Sequence, residues 1–165
     1  MNALNNAAIK PRATASGNTA IRQDYLVFRL ADREFGIALE EVQELCNYDL
    51  VTPLAGAPGF IAGTMTRGGR QIAIVDLHVL LAAGLADKSR LTDVVILQAD
   101  GRISGLAVDC VIDVVAAGAE DITAADAGGT CVIGLATLGK RSILLLDAER
   151  LMTNFQPVPD EKLAA

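Results

Sequence analysis

There is no tryptophan in this chain, a single histidine, His78, and only 4% aromatic residues. The aromatic scarcity argues against a single-strand nucleic-acid binder, which needs stacking platforms beside a basic groove. One histidine and three cysteines without close spacing, Cys46, Cys110 and Cys131, leave no cluster for a transition metal, so neither a metal nor a cofactor is expected. Cys110 and Cys131 sit inside apolar runs, where a thiol behaves as a small buried hydrophobe, and this usage favours a reducing, cytoplasmic setting. Basic charge is short as well: 14 Lys and Arg stand against 20 Asp and Glu, for a net charge of −6 and a pI near 4.7. Such a surface repels polyanions, so nucleic acid is not an expected partner, and acidic proteins of this kind more often meet other proteins. No apolar run reaches the roughly 18 residues of a membrane span, since even GLAVDCVIDVV is broken by Asp109 and Asp113; no membrane insertion is expected. The N-terminal stretch has no apolar signal core, and residues 1–23 are expected to form a disordered leader, with residues 154–165 a frayed tail.

What remains is 165 residues with 52% hydrophobic and 21% charged composition, enough for one compact domain. DYLVFRL, the turn ADRE and EFGIA read as a hairpin. In LEEVQELCNY, Leu39, Val42 and Leu45 fall at helical spacing with Glu40, Glu41 and Glu44 elsewhere, which predicts a short amphipathic helix or crossover. Pro53 and Pro58 punctuate a loop, FIAGTMT and RQIAIVDL form a second hairpin, and LHVLLAAG reads as a helix ended by Gly84.

The pattern then repeats. DYLVFRLADREFGIALEEVQEL aligns with DVVILQADGRISGLAVDCVIDV at an offset of 69, matching Asp24 with Asp93, Gly36 with Gly105 and Val42 with Val111. IAGTMTRGGRQIAIVDLHVLL aligns with VIGLATLGKRSILLLDAERLM at an offset of 71, matching Gly63 with Gly134, Thr66 with Thr137, Gly68 with Gly139 and Arg70 with Arg141. Two nearly equal offsets make chance hairpin similarity a poor account. The chain is therefore expected to be mainly β, one domain over residues 24–153, with halves of about 24–84 and 93–153, each a small barrel-like unit of four or five strands closed by a short helix.

Few residues invite chemistry. GLATLGKR nearly matches a phosphate-binding loop, but Arg141 stands where a hydroxyl would hold magnesium, and the strand-like SILLL follows where a helix should begin. A small nucleotide-dependent enzyme is thus a distant alternative, and an RNA-binding reading of TRGGR is weaker still. In both copies a hairpin turn explains the glycines. His78 has only Asp76 nearby in sequence, too close to orient it for nucleophilic catalysis; Asp76 and Asp147 read as helix N-caps. Glu40, Glu41 and Glu44 read as a solvated face, and Glu120, Asp121 and Asp126 as a polar inter-strand loop. No enzymatic constellation survives.

Taken together, YLVFRLADREFGIALEEVQEL, the Pro-punctuated loop, APGFIAGTM, IAIVDL, VVILQADGRISGLAVDCVIDVV and VIGLATLGKRSILLLDAERLM resemble the CheW family of chemotaxis coupling proteins, over about Asp24 to Thr153. The resemblance implies two small five-stranded β-barrel-like subdomains around a shared apolar core. It also implies a stand-alone adaptor that grips the cytoplasmic tip of a methyl-accepting chemoreceptor and docks on the regulatory domain of a CheA-type histidine kinase. Weak self-association fits such barrels, and an adaptor of a type IV pilus or other chemosensory pathway is the near alternative. By resemblance, Val42 of VQEL and Gly63 of FIAG map to receptor binding, with Glu44 and Leu45 in a segment of partner contacts. The family's usual N-L-R-G corresponds here to Thr66-Arg67-Gly68-Gly69, so its arginine has become Gly68, and Arg67 or Arg70 is expected to supply the charge.

Overall fold

A computed structural model describes residues 21–81, 91–99, 101–125 and 131–154. The fold is mainly β, as expected. The first repeat supplies β1 (Arg22–Leu30), β2 (Arg33–Ala38), β3 (Val42–Asn47), β4 (Ile61–Arg67), β5 (Arg70–Asp76) and α1 (Leu77–Leu81). The second supplies β6 (Asp93–Ala99), β7 (Arg102–Val108), β8 (Cys110–Gly118), β9 (Ile122–Ala124), β10 (Val132–Leu138), β11 (Arg141–Leu146) and α2 (Ala148–Asn154).

Neither sheet is one repeat. The six-stranded sheet runs β8-β1-β2-β11-β10-β9 and the five-stranded sheet β3-β6-β7-β5-β4, so the leading hairpin of each repeat is built into the sheet of the other. The registers obey the two offsets residue for residue. Leu26 faces Ile37 as Val95 faces Leu106, Tyr25 faces Val115 as Val94 faces Cys46, and the parallel pair Ile37/Leu146 repeats Leu106/Val75. Even the lone bridge between Thr52 and Thr64 has its counterpart in Thr123 and Leu135. Among the described residues the hydrogen-bonded strand order leaves both sheets open, where closed barrels were expected. Side chains nevertheless reach across each sheet: those of the edge strands β3 and β4 meet at one end of the five-stranded sheet, and Arg141 of β11 reaches Asp113 of the edge strand β8 in the six-stranded one.

The central strands read as unbroken apolar runs because both of their faces are covered, so alternation is lost. Leu26, Phe28 and Leu30 of β1 face a core shared by the two sheets, while Tyr25 and Val27 face the interior of the six-stranded sheet. In β6, Val95 and Leu97 join the shared core, and Val94 and Ile96 fill the interior of the five-stranded one. Gly36 and Gly105 hold equivalent inward positions, where a Cβ would come within 3.1 Å of Ile143 and 2.4 Å of Ile74 respectively, so each glycine makes room for an isoleucine across its own sheet.

His78 is a core residue, buried at the start of α1, with Nε2 2.5 Å from Asp109 Oδ1. Asp109, at the β7–β8 junction, accepts the Ala31 N–H at 2.8 Å through Oδ2, tying α1 and that junction to the β1–β2 turn. Asp76 caps α1, accepting the His78 N–H at 2.9 Å, and Asp147 does the same for Glu149 and Arg150 in α2, as the sequence predicts.

Two local readings change. The stretch expected to be a short helix or a turn-like crossover is a single 3₁₀ turn, Leu39–Glu41, followed by β3; a bulge between Val42 and Glu44 shifts the pleat by one residue, so Val42 and Leu45 share a face at a spacing that mimics a helix. The expected polar loop holds the end of β8, a 3₁₀ turn at Ala119–Asp121 and β9. Arg22, assigned above to the leader, already belongs to β1 and pairs with Glu120 at 3.0 Å and Asp121 at 3.3 Å. Gly84, Asp126, most of the leader and nearly all of the tail lie outside the described residues. Among the described residues no helix is long and apolar enough to cross a membrane.

Candidate functional site

The Thr66-Arg67-Gly68-Gly69-Arg70 stretch is the β4–β5 hairpin tip. Gly68 and Gly69 are its two central residues, with φ of 57° and 78°. Positive φ at both positions is the demand of a type I′ turn, whose twist matches that of the strands it joins. The equivalent turn of the second repeat, Gly139-Lys140, links β10 to β11, so the phosphate-loop look-alike is a hairpin too.

Arg67 and Arg70 are directly opposed across the tip, and cross-strand partners point to the same face. Met65 and Ile72 lie next along that face, inside the five-stranded sheet, so the two arginines stand at its mouth. Glu44 on β3 reaches the same mouth: Arg67 Nε donates to its Oε1 at 3.3 Å and Nη2 donates to its Oε2. The hydrogen bond to Glu44, with smaller help from the charges of Cys46 and Glu44, raises the Arg67 pKa and keeps the guanidinium charged. Burial pushes the neighbouring Cys46 thiol up, and Glu44 pushes it the same way. Arg70 is exposed and makes no side-chain hydrogen bond or ion pair with any described residue.

The remaining candidates do not join this group. Thr66 is exposed on the opposite face of β4. Val42 and Leu45 are partly buried against the shared core, on the side of β3 away from Glu44. Gly63 is buried: a Cβ there would lie 2.2 Å from the Thr52 carbonyl oxygen, so the residue acts by allowing the Thr52 and Thr64 backbones to exchange two hydrogen bonds of 2.8 Å.

Sequence reasoning missed the matching cluster at the mouth of the six-stranded sheet. Arg141 donates to Glu34 Oε1 at 2.8 and 3.1 Å and to the two oxygens of Asp113 at 3.1 and 3.0 Å, using its whole planar fork. Bonding to Asp113 and then Glu34 raises its pKa strongly. The signal was available, because the offset of 69 places Asp113 on Glu44. Among the described residues no three His, Cys, Asp or Glu side chains are grouped to hold a metal.

Comparison with known proteins agrees with this architecture. Residues 24–156 match the family model described as a CheW-like domain. The chain is 34% identical over 139 residues to the chemotaxis protein CheW of Klebsiella aerogenes, covering 81% of this chain and 84% of that one. It is 29% identical over 90 residues to the protein FrzA of Myxococcus xanthus, covering 54% and 56% of the respective chains. The crystal structure of the scaffolding protein TtCheW from Thermoanaerobacter tengcongensis superposes with a TM-score of 0.69 at 26% identity, over 76% of this chain and 89% of that one. With a family model covering most of its length, a relative above 30% identity and the same fold in a solved scaffold, the chain belongs to the CheW family, whose members are adaptors and scaffolds and not enzymes.

Proposed function

We propose that this chain is a cytoplasmic adaptor that couples the cytoplasmic tips of methyl-accepting chemoreceptors to the regulatory domain of a CheA-type histidine kinase. The β4–β5 hairpin tip is the receptor-docking element, and Arg70 supplies the charge that the family places two residues earlier, at the position of Gly68. The observation that carries this reading is the difference between the two arginines: Arg67 is engaged by Glu44, whereas Arg70, on the same face, is exposed and has no ion-pair partner among the described residues. A long, flexible side chain at a hairpin tip can be re-aimed across the turn, which makes up for the glycine at position 68. Val42 and Leu45, half-exposed at the rim of the shared core, supply apolar contact, and the outer edge of β3 faces the kinase.

Arg67 has a different job. Its pairing with Glu44 joins the two edge strands of the sheet and so fixes the angle of the hairpin. Co-purification with a receptor tip from the same genome separates the two roles. Arg70→Ala removes one charge-assisted contact, worth about 1.5–3 kcal/mol, and should weaken capture by roughly ten- to a hundred-fold. Arg67→Ala should weaken it less, and Arg67→Lys should restore it. Unchanged capture in both alanine variants would sink the assignment of this tip to receptor docking.

A further inference from the structure

The pseudo-symmetry builds the docking face twice. At the two offsets Val42, Gly63, Thr66, Gly68 and Arg70 become Val111, Gly134, Thr137, Gly139 and Arg141, and the registers around them are the same. At the sheet mouth the copies differ at four positions: Glu44 becomes the shorter Asp113, Gly69 becomes Lys140 in the turn itself, and two further exchanges change how the arginines are paired. Arg67, which occupies Glu44 in the first copy, is Leu138 in the second, an apolar residue packed against the interior of its sheet. The position that is Ile103 beside the first tip is Glu34 beside the second. The result is an exchange of partners. In the first copy Arg67 occupies the β3 carboxylate and Arg70 has no partner among the described residues; in the second Leu138 stands where the competing arginine would be, and Arg141 is gripped by Asp113 and Glu34 together.

We infer that the second hairpin tip is a latent copy of the receptor-docking face, silenced because Glu34 and Asp113 neutralise Arg141, and that this asymmetry makes the adaptor bind one receptor tip in one orientation. The inference rests on the docking reading above. Its chemical content is that the tip must present a guanidinium with no internal carboxylate in order to accept an acidic side chain of the partner. A pseudo-two-fold body with two active faces would bridge two receptor tips and lose its polarity between receptor and kinase.

The test is to awaken the latent copy. Glu34→Ile with Leu138→Arg gives the second mouth the isoleucine and the second arginine of the first, so that the introduced guanidinium takes Asp113 and Arg141 is released. Glu34→Gln with Asp113→Asn removes both charges at nearly constant volume and serves where the first variant does not fold. Recombinant cytoplasmic tip of a receptor from the same genome is titrated by calorimetry into the wild type and each variant, with and without Arg70→Ala. The expected result is one tip per chain for the wild type and two for either variant, with Arg70→Ala reducing two to one in the variants and weakening the wild type at least ten-fold. One tip per chain in the folded variants, weakened by Arg70→Ala as in the wild type, overturns the latent copy alone. No binding by the wild type overturns the docking reading and this inference with it.

Discussion

Replacing Gly63 by alanine should be one of the most damaging single-methyl changes in the protein, and the same replacement at its repeat-equivalent, Gly134, should be mild. The new Cβ at position 63 would sit 2.2 Å from the Thr52 carbonyl oxygen, 2.8 Å from its carbon and 2.9 Å from Val51 Cγ1. Carbon and carbonyl oxygen meet at no less than about 3.3 Å, so a retreat of roughly 1 Å is required. Two of the three obstructing atoms are backbone and cannot rotate away. Thr52 is also held to Thr64 by two mutual hydrogen bonds of 2.8 Å, which the retreat breaks. Overpacking costs about 1–3 kcal/mol and each lost hydrogen bond about 1 kcal/mol, giving about 3–5 kcal/mol in all. In a chain of this size each kcal/mol lowers Tm by about 2–4 °C, so a fall of roughly 6–20 °C is expected. At Gly134 the nearest atoms, Thr123 O and Ile122 Cγ2, lie at 3.0 and 3.1 Å, which asks for shifts of only a few tenths of an ångström. A loss of about 1 kcal/mol, or some 2–4 °C, is the counterpart there. Thermal unfolding followed by circular dichroism decides the matter. Equal losses at the two sites, or a Gly63→Ala protein within about 2 °C of wild type, would refute the close-approach argument. Loss of receptor capture at unchanged Tm would show that the bare backbone of Gly63 touches the partner directly.

The other predictions concern ionisable groups. Burial, and then the charges of Asp147, Glu40 and Glu149, raise the Glu41 pKa, so the folded chain holds this proton more readily than the unfolded one. Stability therefore falls as pH rises from the ordinary carboxyl value through the raised one. Glu41→Gln should raise Tm at neutral pH and give no gain at about pH 3, below the ordinary carboxyl range; an equal gain at both would count against the assignment. The raised pKa of Cys46, caused first by burial and then by Glu44, leaves little thiolate at neutral pH. In a Cys110→Ser/Cys131→Ser background, Cys46 should react with an aromatic disulfide more slowly than a free peptide thiol, and Glu44→Gln should speed it; no change on Glu44→Gln would show that the carboxylate does not govern the thiol. The two arginine exchanges and the stoichiometry titration complete the set.

The repeat carried most of what could be read in advance. Its offsets fix which strands are equivalent, where the glycines fall and which hairpins are tight. They do not fix the partner of each strand. Two copies of one hairpin are equally suited to either sheet, so β1 and β2 could be assigned to the neighbours of β5 or of β11 on pattern alone, and only the packed structure distinguishes them. The helical reading of Leu39, Val42 and Leu45 failed for a specific reason: a bulge adds one residue to a period of two and produces a spacing of three. At the candidate site the tip and its glycines were legible. The engagement of Arg67 by Glu44 was not, because it spans the two edges of one sheet, and edge contacts leave no local periodicity.

The exchange of hairpins between repeats has a consequence for how the protein is made. A ribosome delivers β1 and β2 first, yet β1 pairs with β8, and β2 pairs with β11, near the end of the described chain. The five-stranded sheet is complete once β7 has emerged, whereas the six-stranded one waits for Arg141–Leu146. Until β8 emerges the nascent chain carries an apolar hairpin, Tyr25 to Ile37, with exposed strand edges on both sides, and until β11 emerges the edge of β2 stays open, a template for mispairing. Contacts so remote in sequence also slow folding. A truncated chain that stops after the first repeat therefore completes neither sheet, and each half, however alike the two are in sequence, depends on strands of the other.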